Sequence, residues 1–227
     1  MKNFLLSIAI FSLFSFKSFS HVEHYADFNY LEYELFRNNN SIGYHKYNFK
    51  RNGENLSVIS EVNFKITKLG VDLYSYFAKS DENYEKGIFK NYNSITKQNK
   101  KNRYVNINVD PINGDLIIDG SSYKGKASKN FIVGTWWNHE IIKAKAQISG
   151  ISGRIIEQTV TFIGKEDVII NGKTYKTLHF NFKSSDENLP ESKKLNTDIW
   201  YEENTYLWVK AAFDKTGYWE YRVKEVN

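Results

Sequence analysis

Three Asn-Gly pairs divide the chain, and each lies between segments in which apolar and polar residues alternate. The pairs are Asn52-Gly53, Asn113-Gly114 and Asn171-Gly172. Both Asn and Gly tolerate positive φ angles, which the two-residue type I′ turn between antiparallel strands requires. Alternation with a period of two is typical of strands that have one buried and one solvent-facing side. The sequence therefore predicts an all-β, mainly antiparallel meander.

The alternation continues to the carboxy terminus, where residues 218–226 form a nearly ideal strand pattern. There, Trp219, Tyr221 and Val223 alternate with Glu220, Arg222 and Lys224. Counting such segments, we expect a single curled sheet or half-barrel of about 11 to 13 strands. Aromatic residues make up 16% of the chain, which is enough to fill the core of such a sheet.

Residues 120–153 interrupt the meander. The segment 137–146 carries Ile141, Ile142 and Ala144 at approximately helical spacing, and Thr135 precedes it as a candidate cap. Gly150 and Gly153 mark the return to strands. The sequence predicts one short helix here.

The first twenty residues have the pattern of a secretory signal. Lys2 precedes an apolar run over residues 4–16, and the segment ends with small residues, Ser18 and Ser20, at the positions that a signal peptidase recognises. We expect cleavage before His21, a single antiparallel β domain over residues 21–227, and no transmembrane segment after cleavage. The predicted location is the periplasm.

Composition excludes several kinds of chemistry. The chain has no cysteine, which rules out disulfides and thiolate sites. The net charge of +5 falls to +3 when Lys2 and Lys17 leave with the signal, and export separates the protein from nucleic acid. The densest basic cluster is Lys97, Lys100, Lys101 and Arg103, which is either a solvated hairpin tip or a contact with an anionic membrane surface.

No catalytic or metal-binding motif stands out. The spacing of a serine-hydrolase elbow, a phosphate-binding loop or a zinc-protease helix is missing. A hydrolase that uses His45 or His139 as its base stays open, as does a copper site formed by the amine and imidazole of His21. We predict no catalytic residue, no metal ligand and no cofactor, and we lean towards a protein that is not an enzyme.

The strongest candidate for a binding site is aromatic. Phe131, Trp136, Trp137 and Asn138 cluster in the irregular segment, and Trp200 follows in a late strand. In a curled sheet these residues would cover an apolar cavity suited to a lipid or another hydrophobic ligand. The alternatives are that the rings simply form the core, or that the protein is an envelope scaffold that binds another protein without a ligand cavity.

Short aromatic motifs across nearly the whole of residues 21–227 resemble an exported bacterial family of unknown function. They include Ile42-Gly43-Tyr44-His45, Trp137-Asn138, Thr197-Asp198-Ile199-Trp200-Tyr201 and Trp219-Glu220-Tyr221-Arg222. Residues 198–201 are also similar, more distantly, to the Asp-x-Trp strand of lipoprotein carriers related to LolA. That resemblance implies a half-barrel whose concave side holds acyl chains beneath short helices, although this chain has one predicted helix where the carriers have several.

Overall fold

The computed structural model describes residues 25–227, so the predicted signal and His21 lie outside the described residues. One sheet of fifteen strands contains all of the described strands, in the order β8-β7-β6-β5-β4-β3-β2-β1-β15-β14-β13-β12-β11-β10-β9. The strands are β1 (Tyr30–Arg37), β2 (Asn40–Asn52), β3 (Asn55–Lys68), β4 (Val71–Glu85), β5 (Ile88–Gln98), β6 (Lys101–Val109), β7 (Leu116–Gly120), β8 (Lys124–Ala127), β9 (Ile132–Val133), β10 (Ala146–Ile148), β11 (Ile155–Ile170), β12 (Lys173–Ser184), β13 (Asn196–Glu202), β14 (Trp208–Asp214) and β15 (Tyr218–Val226).

The prediction of an all-β and mainly antiparallel fold is confirmed. Every neighbouring pair in the sheet is antiparallel except β9 and β10. Strand β1 joins the two halves because it pairs with β2 on one side and with the last strand, β15, on the other. The result is one open, curled sheet.

The predicted number of strands, about 11 to 13, is wrong. Three extra strands, β8, β9 and β10, are only two to four residues long, which is too short to show an alternating pattern. By contrast with these short strands, β11 is long and continues through Gly164, where a shift in its pairing with β12 marks a bulge. The predicted helix is a single 3-10 turn, His139–Ile142, whose N-cap Asn138 accepts a hydrogen bond from the Glu140 amide.

The three Asn-Gly pairs lie at the same end of the sheet, because the strands that lead into them, β2, β6 and β11, run in the same direction. At Asn171-Gly172 both residues have positive φ, 51° and 79°, as a type I′ turn requires. At the other two pairs only the glycine has positive φ among the described residues. We call this the Asn-Gly end, and the other end of the sheet the distal end.

The concave side of the sheet holds an aromatic core. The largest fully buried side chains include Trp137, Trp208, Tyr33 and Tyr201. The rings of Tyr33 and Trp208 stack with centroids 4.0 Å apart, and the Tyr33 hydroxyl donates to the Trp208 carbonyl at 2.8 Å. The Tyr33 hydroxyl is thus paired within the core, whereas Trp208 Nε1 has no hydrogen-bond partner among the described residues.

Candidate functional site

Residues 128–154, which we call the crossing segment, connect β8 to β11 and lie over the concave side. Side chains of the sheet hold this segment in place. The Tyr201 hydroxyl donates to the Trp136 carbonyl at 2.9 Å, and Tyr92 and Ser94 both donate to the Gly150 carbonyl. A Cβ at position 150 would lie 2.5 Å from the Tyr92 hydroxyl, so this approach requires glycine. The segment is therefore fixed to the sheet near both of its ends.

A first cavity of about 230 Å³ lies between the crossing segment and strands β2 to β5. Its lining combines rings, small side chains and hydroxyls. It includes His45, Tyr47, Ser60, Val62, Tyr76, Ala78, Ser80, Tyr92, Ser94, Thr135, Trp136, Gln147 and Tyr221. Trp136 contacts Trp208 and Tyr221 edge-on, with centroids 5.3 and 5.4 Å away.

His45 is the unusual group in this lining. Burial lowers the pKa of its imidazole to about 3, so the ring is neutral at physiological pH. Nε2 shares a hydrogen bond of 2.8 Å with the Ser60 hydroxyl, whereas the buried Nδ1 has no hydrogen-bond partner within the described part of the chain. Unpaired buried polar atoms are uncommon, and this one belongs to a residue that lines the cavity. A neutral imidazole without an acidic partner is poorly arranged to act as a general base.

A second cavity, of about 380 Å³, lies on the other side of the crossing segment. Phe131 and Asn138 both line it. The remaining lining includes Glu82, Tyr84, Phe89, Leu116, Lys129, Ile132, Val133, Glu140, Lys143 and Ala144. This cavity carries more charge than the first, so it is less suited to a purely apolar ligand.

A buried carboxyl, Glu82, belongs to the wall between the two cavities. Trp137 Nε1 and Thr135 Oγ1 each donate to its Oε2 at 3.0 Å, and the Tyr84 hydroxyl donates to its other oxygen. Burial raises the pKa of Glu82 to about 7, and these three hydrogen bonds oppose the rise only in part. The carboxyl thus titrates near neutral pH in the centre of the fold.

The five predicted site residues are not all brought together. Trp136 lines the first cavity, and Phe131 and Asn138 line the second. Trp137, which is 1% exposed, is part of the core and contacts Glu82 instead of either cavity. Four of the five therefore belong to the crossing segment, but they do not line the same cavity.

Trp200 lies on the opposite face of the sheet. Its ring stacks on His179 with centroids 4.2 Å apart, and Lys210 Nζ is 4.8 Å from its centroid. His179 in turn lies between two carboxylates, with Nδ1 2.9 Å from Glu166 and Nε2 3.0 Å from Asp198. Trp200 alternates in β13 with Ile199 and Tyr201, which belong to the core, so its side chain faces the other way.

Sequence reasoning missed Glu82 and gave His45 only a weak role. Glu82 shares the register of Tyr84 and Ala78 in β4, which is a signal that it faces the core, yet a carboxylate at such a position is rarely buried. The only sequence signal for the burial of Glu82 is therefore its position in the alternating pattern of β4. His139 packs against Tyr206, with ring centroids 4.5 Å apart.

Within residues 25–227, no group of three or more His, Asp and Glu side chains is arranged to hold a metal ion. His21, the candidate copper ligand, lies outside the described residues. In the same part of the chain, no helix is long and apolar enough to cross a membrane.

The fold and the site together define a class of protein: an open, β-barrel-like sheet whose concave side is covered by a crossing segment over two cavities. The family model described as domain of unknown function DUF6134 matches residues 33–224. The chain belongs to this family. The prediction of a β-rich family of unknown function is thereby confirmed.

Comparison with one solved structure supports the same architecture. The chain is similar to a β-barrel-like protein of domain of unknown function DUF1849 from Brucella abortus, with a TM-score of 0.60 and 11% identity over 87% of this chain and 96% of that one. A DUF1329 family protein from Desulfovibrio piger matches with a TM-score of 0.26 and 10% identity, over 92% of this chain and 90% of that one. No curated protein matches the chain. At these identities the first similarity establishes the fold alone.

Proposed function

We propose that this protein is exported to the periplasm and binds a small hydrophobic ligand, or one short acyl chain, in the first cavity without catalysing a reaction. The observation that carries the proposal is the neutral imidazole of His45, which has an unpaired Nδ1 in a lining of rings and hydroxyls. A ligand with an apolar body and one hydrogen-bonding group would satisfy both features.

The size of the cavity limits the ligand. About 230 Å³ is below the range of roughly 300–1,000 Å³ that is usual for pockets of drug-sized molecules. The ligand is therefore a single short chain, or a larger lipid of which only one part enters. This proposal keeps the concave binding side implied by the likeness to LolA-related carriers, but with a smaller cavity.

The chemistry of the lining indicates an uncharged polar group on the ligand. The pKa of His45 is depressed, so the imidazole offers no positive charge to a carboxylate, and the one charged residue of the lining, Lys79, is solvent-exposed. Transfer of an unpaired charge into such a site is strongly unfavourable, whereas a hydroxyl both donates and accepts. We expect 1-octanol to bind more tightly than octanoate of the same length.

Titration of 1-octanol into the purified protein, followed by tryptophan fluorescence, tests the proposal because Trp136 lines the cavity. Two matched variants locate the binding. Ala78→Leu adds the same three carbons to the first cavity that Ala144→Leu adds to the second. We expect Ala78→Leu to abolish saturation and Ala144→Leu to leave it unchanged.

The proposal fails if the wild-type protein shows no saturable response, or if Ala144→Leu alone removes it. Urea unfolding of both variants verifies that each retains the fold, so loss of binding is separable from loss of structure.

A further inference from the structure

A hairpin projects from the distal end of the sheet beyond its neighbours. Strand β2 pairs with β3 only as far as Phe64, and β5 pairs with β4 only from Tyr76. Residues 65–75, which we call the finger, form strand pairs only with each other within the described sheet. At about 3.3 Å per residue, the finger extends roughly 13 Å past Ser75, where the β5–β6 turn contacts its base.

The tip of the finger carries three large apolar side chains that contact solvent. Leu69 is 95% exposed, Val71 61% and Leu73 57%. Asp72 accepts hydrogen bonds from Lys65 and Thr67 on the neighbouring strand of the finger. Exposed apolar side chains concentrated at the tip of a projecting hairpin are typical of a surface that contacts a partner.

Leu69 also occupies a backbone conformation that disfavours it. Leu69 and Gly70 form the turn with φ angles of 51° and 79°, the geometry in which Asn is preferred at the first position. A β-carbon is strained at that φ, and a side chain that is 95% exposed gains no packing in return. A residue that breaks a local rule without a benefit to the fold indicates a role outside the fold.

The surroundings of the finger are strongly basic. Residues 65–75 and 97–103 contain six basic side chains and one acidic side chain, Asp72, which Lys65 already neutralises at 2.9 Å. The basic residues are Lys65, Lys68, Lys97, Lys100, Lys101 and Arg103. Three aromatic rings lie at the base of the finger. The centroid of the Phe64 ring is 5.9 Å from that of Tyr74 and 5.3 Å from that of Trp219.

We propose that the finger docks the protein on an anionic lipid bilayer. Leu69, Val71 and Leu73 enter the interface, the lysines bind lipid phosphates, and the partly exposed rings of Tyr74 and Trp219 lie at the headgroup level. Apolar insertion combined with a polybasic rim is the combination that holds a protein reversibly on such a membrane, and aromatic rings favour the same interface. This proposal does not depend on the cavity.

The Asn-Gly end provides a matched control. It also exposes three isoleucines, Ile88, Ile112 and Ile169, but they belong to three separate turns. Those turns carry charges of both signs, in which Lys90 pairs with Glu85 and Lys126 with Asp110. This end therefore has no basic excess that would attract an anionic surface, and exposed apolar side chains alone do not predict binding there.

Flotation with vesicles of phosphatidylglycerol and phosphatidylethanolamine in equal parts, compared with pure phosphatidylcholine, tests the proposal with protein that begins at His21. We expect the wild type to bind the anionic vesicles and to be released by salt. The triple variant Leu69→Asn, Val71→Thr, Leu73→Thr should lower the partition coefficient about 100-fold. Replacing Lys97, Lys100 and Lys101 by Gln should lower it by about fivefold per lysine.

Two control variants should change the partition coefficient by less than about twofold, since neither touches the finger. One replaces Ile88, Ile112 and Ile169 by Thr, and the other replaces three exposed lysines, Lys50, Lys173 and Lys176, by Gln. The apolar finger variant should unfold at the same or a higher urea concentration than the wild type, because Asn suits the turn and the replaced side chains are exposed.

The proposal is overturned if the wild type does not bind anionic vesicles, if the apolar finger variant or the Lys97, Lys100 and Lys101 variant binds them fully, or if the controls lose binding equally. A wild-type dimer in light scattering that only the finger variant dissociates also overturns it, since the finger would then bind a second copy.

Discussion

Replacing Glu82 by Gln should change how the stability of the protein depends on pH. The folded state raises the pKa of this carboxyl from its ordinary 4.5 to about 7, chiefly by burial. Below pH 4.5 the group is protonated in both folded and unfolded states. Between pH 4.5 and 7 only the folded state retains the proton, so rising pH favours unfolding. At ~1.4 kcal/mol per pH unit, the free energy of unfolding loses about 3 kcal/mol over this interval.

Gln removes this dependence while keeping two of the three hydrogen bonds, because its NH2 group replaces the oxygen to which Tyr84 donates. Its amide oxygen can accept from both Trp137 and Thr135, which donate to the same carboxylate oxygen in the wild type. We expect the free energy of unfolding of Glu82→Gln, relative to wild type, to rise by about 3 kcal/mol from pH 4.5 to 7.5. Urea unfolding at several pH values, followed by tryptophan fluorescence, measures it.

The comparison with the variant is necessary because His45 acts in the opposite sense. Burial depresses its pKa from 6.5 to about 3, so its protonation in the unfolded state makes the protein more stable as pH rises over that range. This contribution is common to wild type and Glu82→Gln and cancels in their difference. Glu187→Gln, at an exposed position, serves as the control. Parallel pH curves for wild type and Glu82→Gln would refute the reasoning.

Two further predictions concern groups that line or support the first cavity. The His45 ring protons should not titrate between pH 5 and 8 in NMR spectra, because burial holds the pKa near 3; a midpoint close to 6.5 would contradict this. Tyr201→Phe removes the hydrogen bond to the Trp136 carbonyl and leaves that acceptor unpaired, which should cost about 1–3 kcal/mol in urea unfolding. An unchanged unfolding midpoint would show that the bond does not hold the crossing segment.

The regular strands were predictable because burial acts on them with a period of two. The last strand has Trp219, Tyr221 and Val223 on the side predicted from the sequence. The strands β8, β9 and β10 were not predictable, since two to four residues show no period and their pairing depends on distant segments. The helical spacing in residues 137–146 reflects one 3-10 turn and a buried strand, which share apolar residues with a helix pattern.

The candidate site was predictable in part for a similar reason. Aromatic residues in an irregular part of the sequence indicated the crossing segment as the candidate site. The direction of each side chain, however, depends on the backbone of its turn. Trp137 therefore packs in the core, whereas Trp136 lines a cavity. Trp200 was misplaced although the alternation of β13 separates it from Ile199 and Tyr201, which face the core. Glu82 and His45 become functional candidates only when burial and hydrogen-bond partners are known.

Native mass spectrometry of the folded protein, purified from the periplasm of an expressing bacterium, tests the proposal of ligand binding most directly. We expect a non-covalent adduct with the mass of a small apolar molecule in the wild type and in Ala144→Leu, and its loss in Ala78→Leu. A wild-type spectrum without an adduct, even after addition of 1-octanol, or an adduct that all three proteins carry equally, would contradict binding in the first cavity.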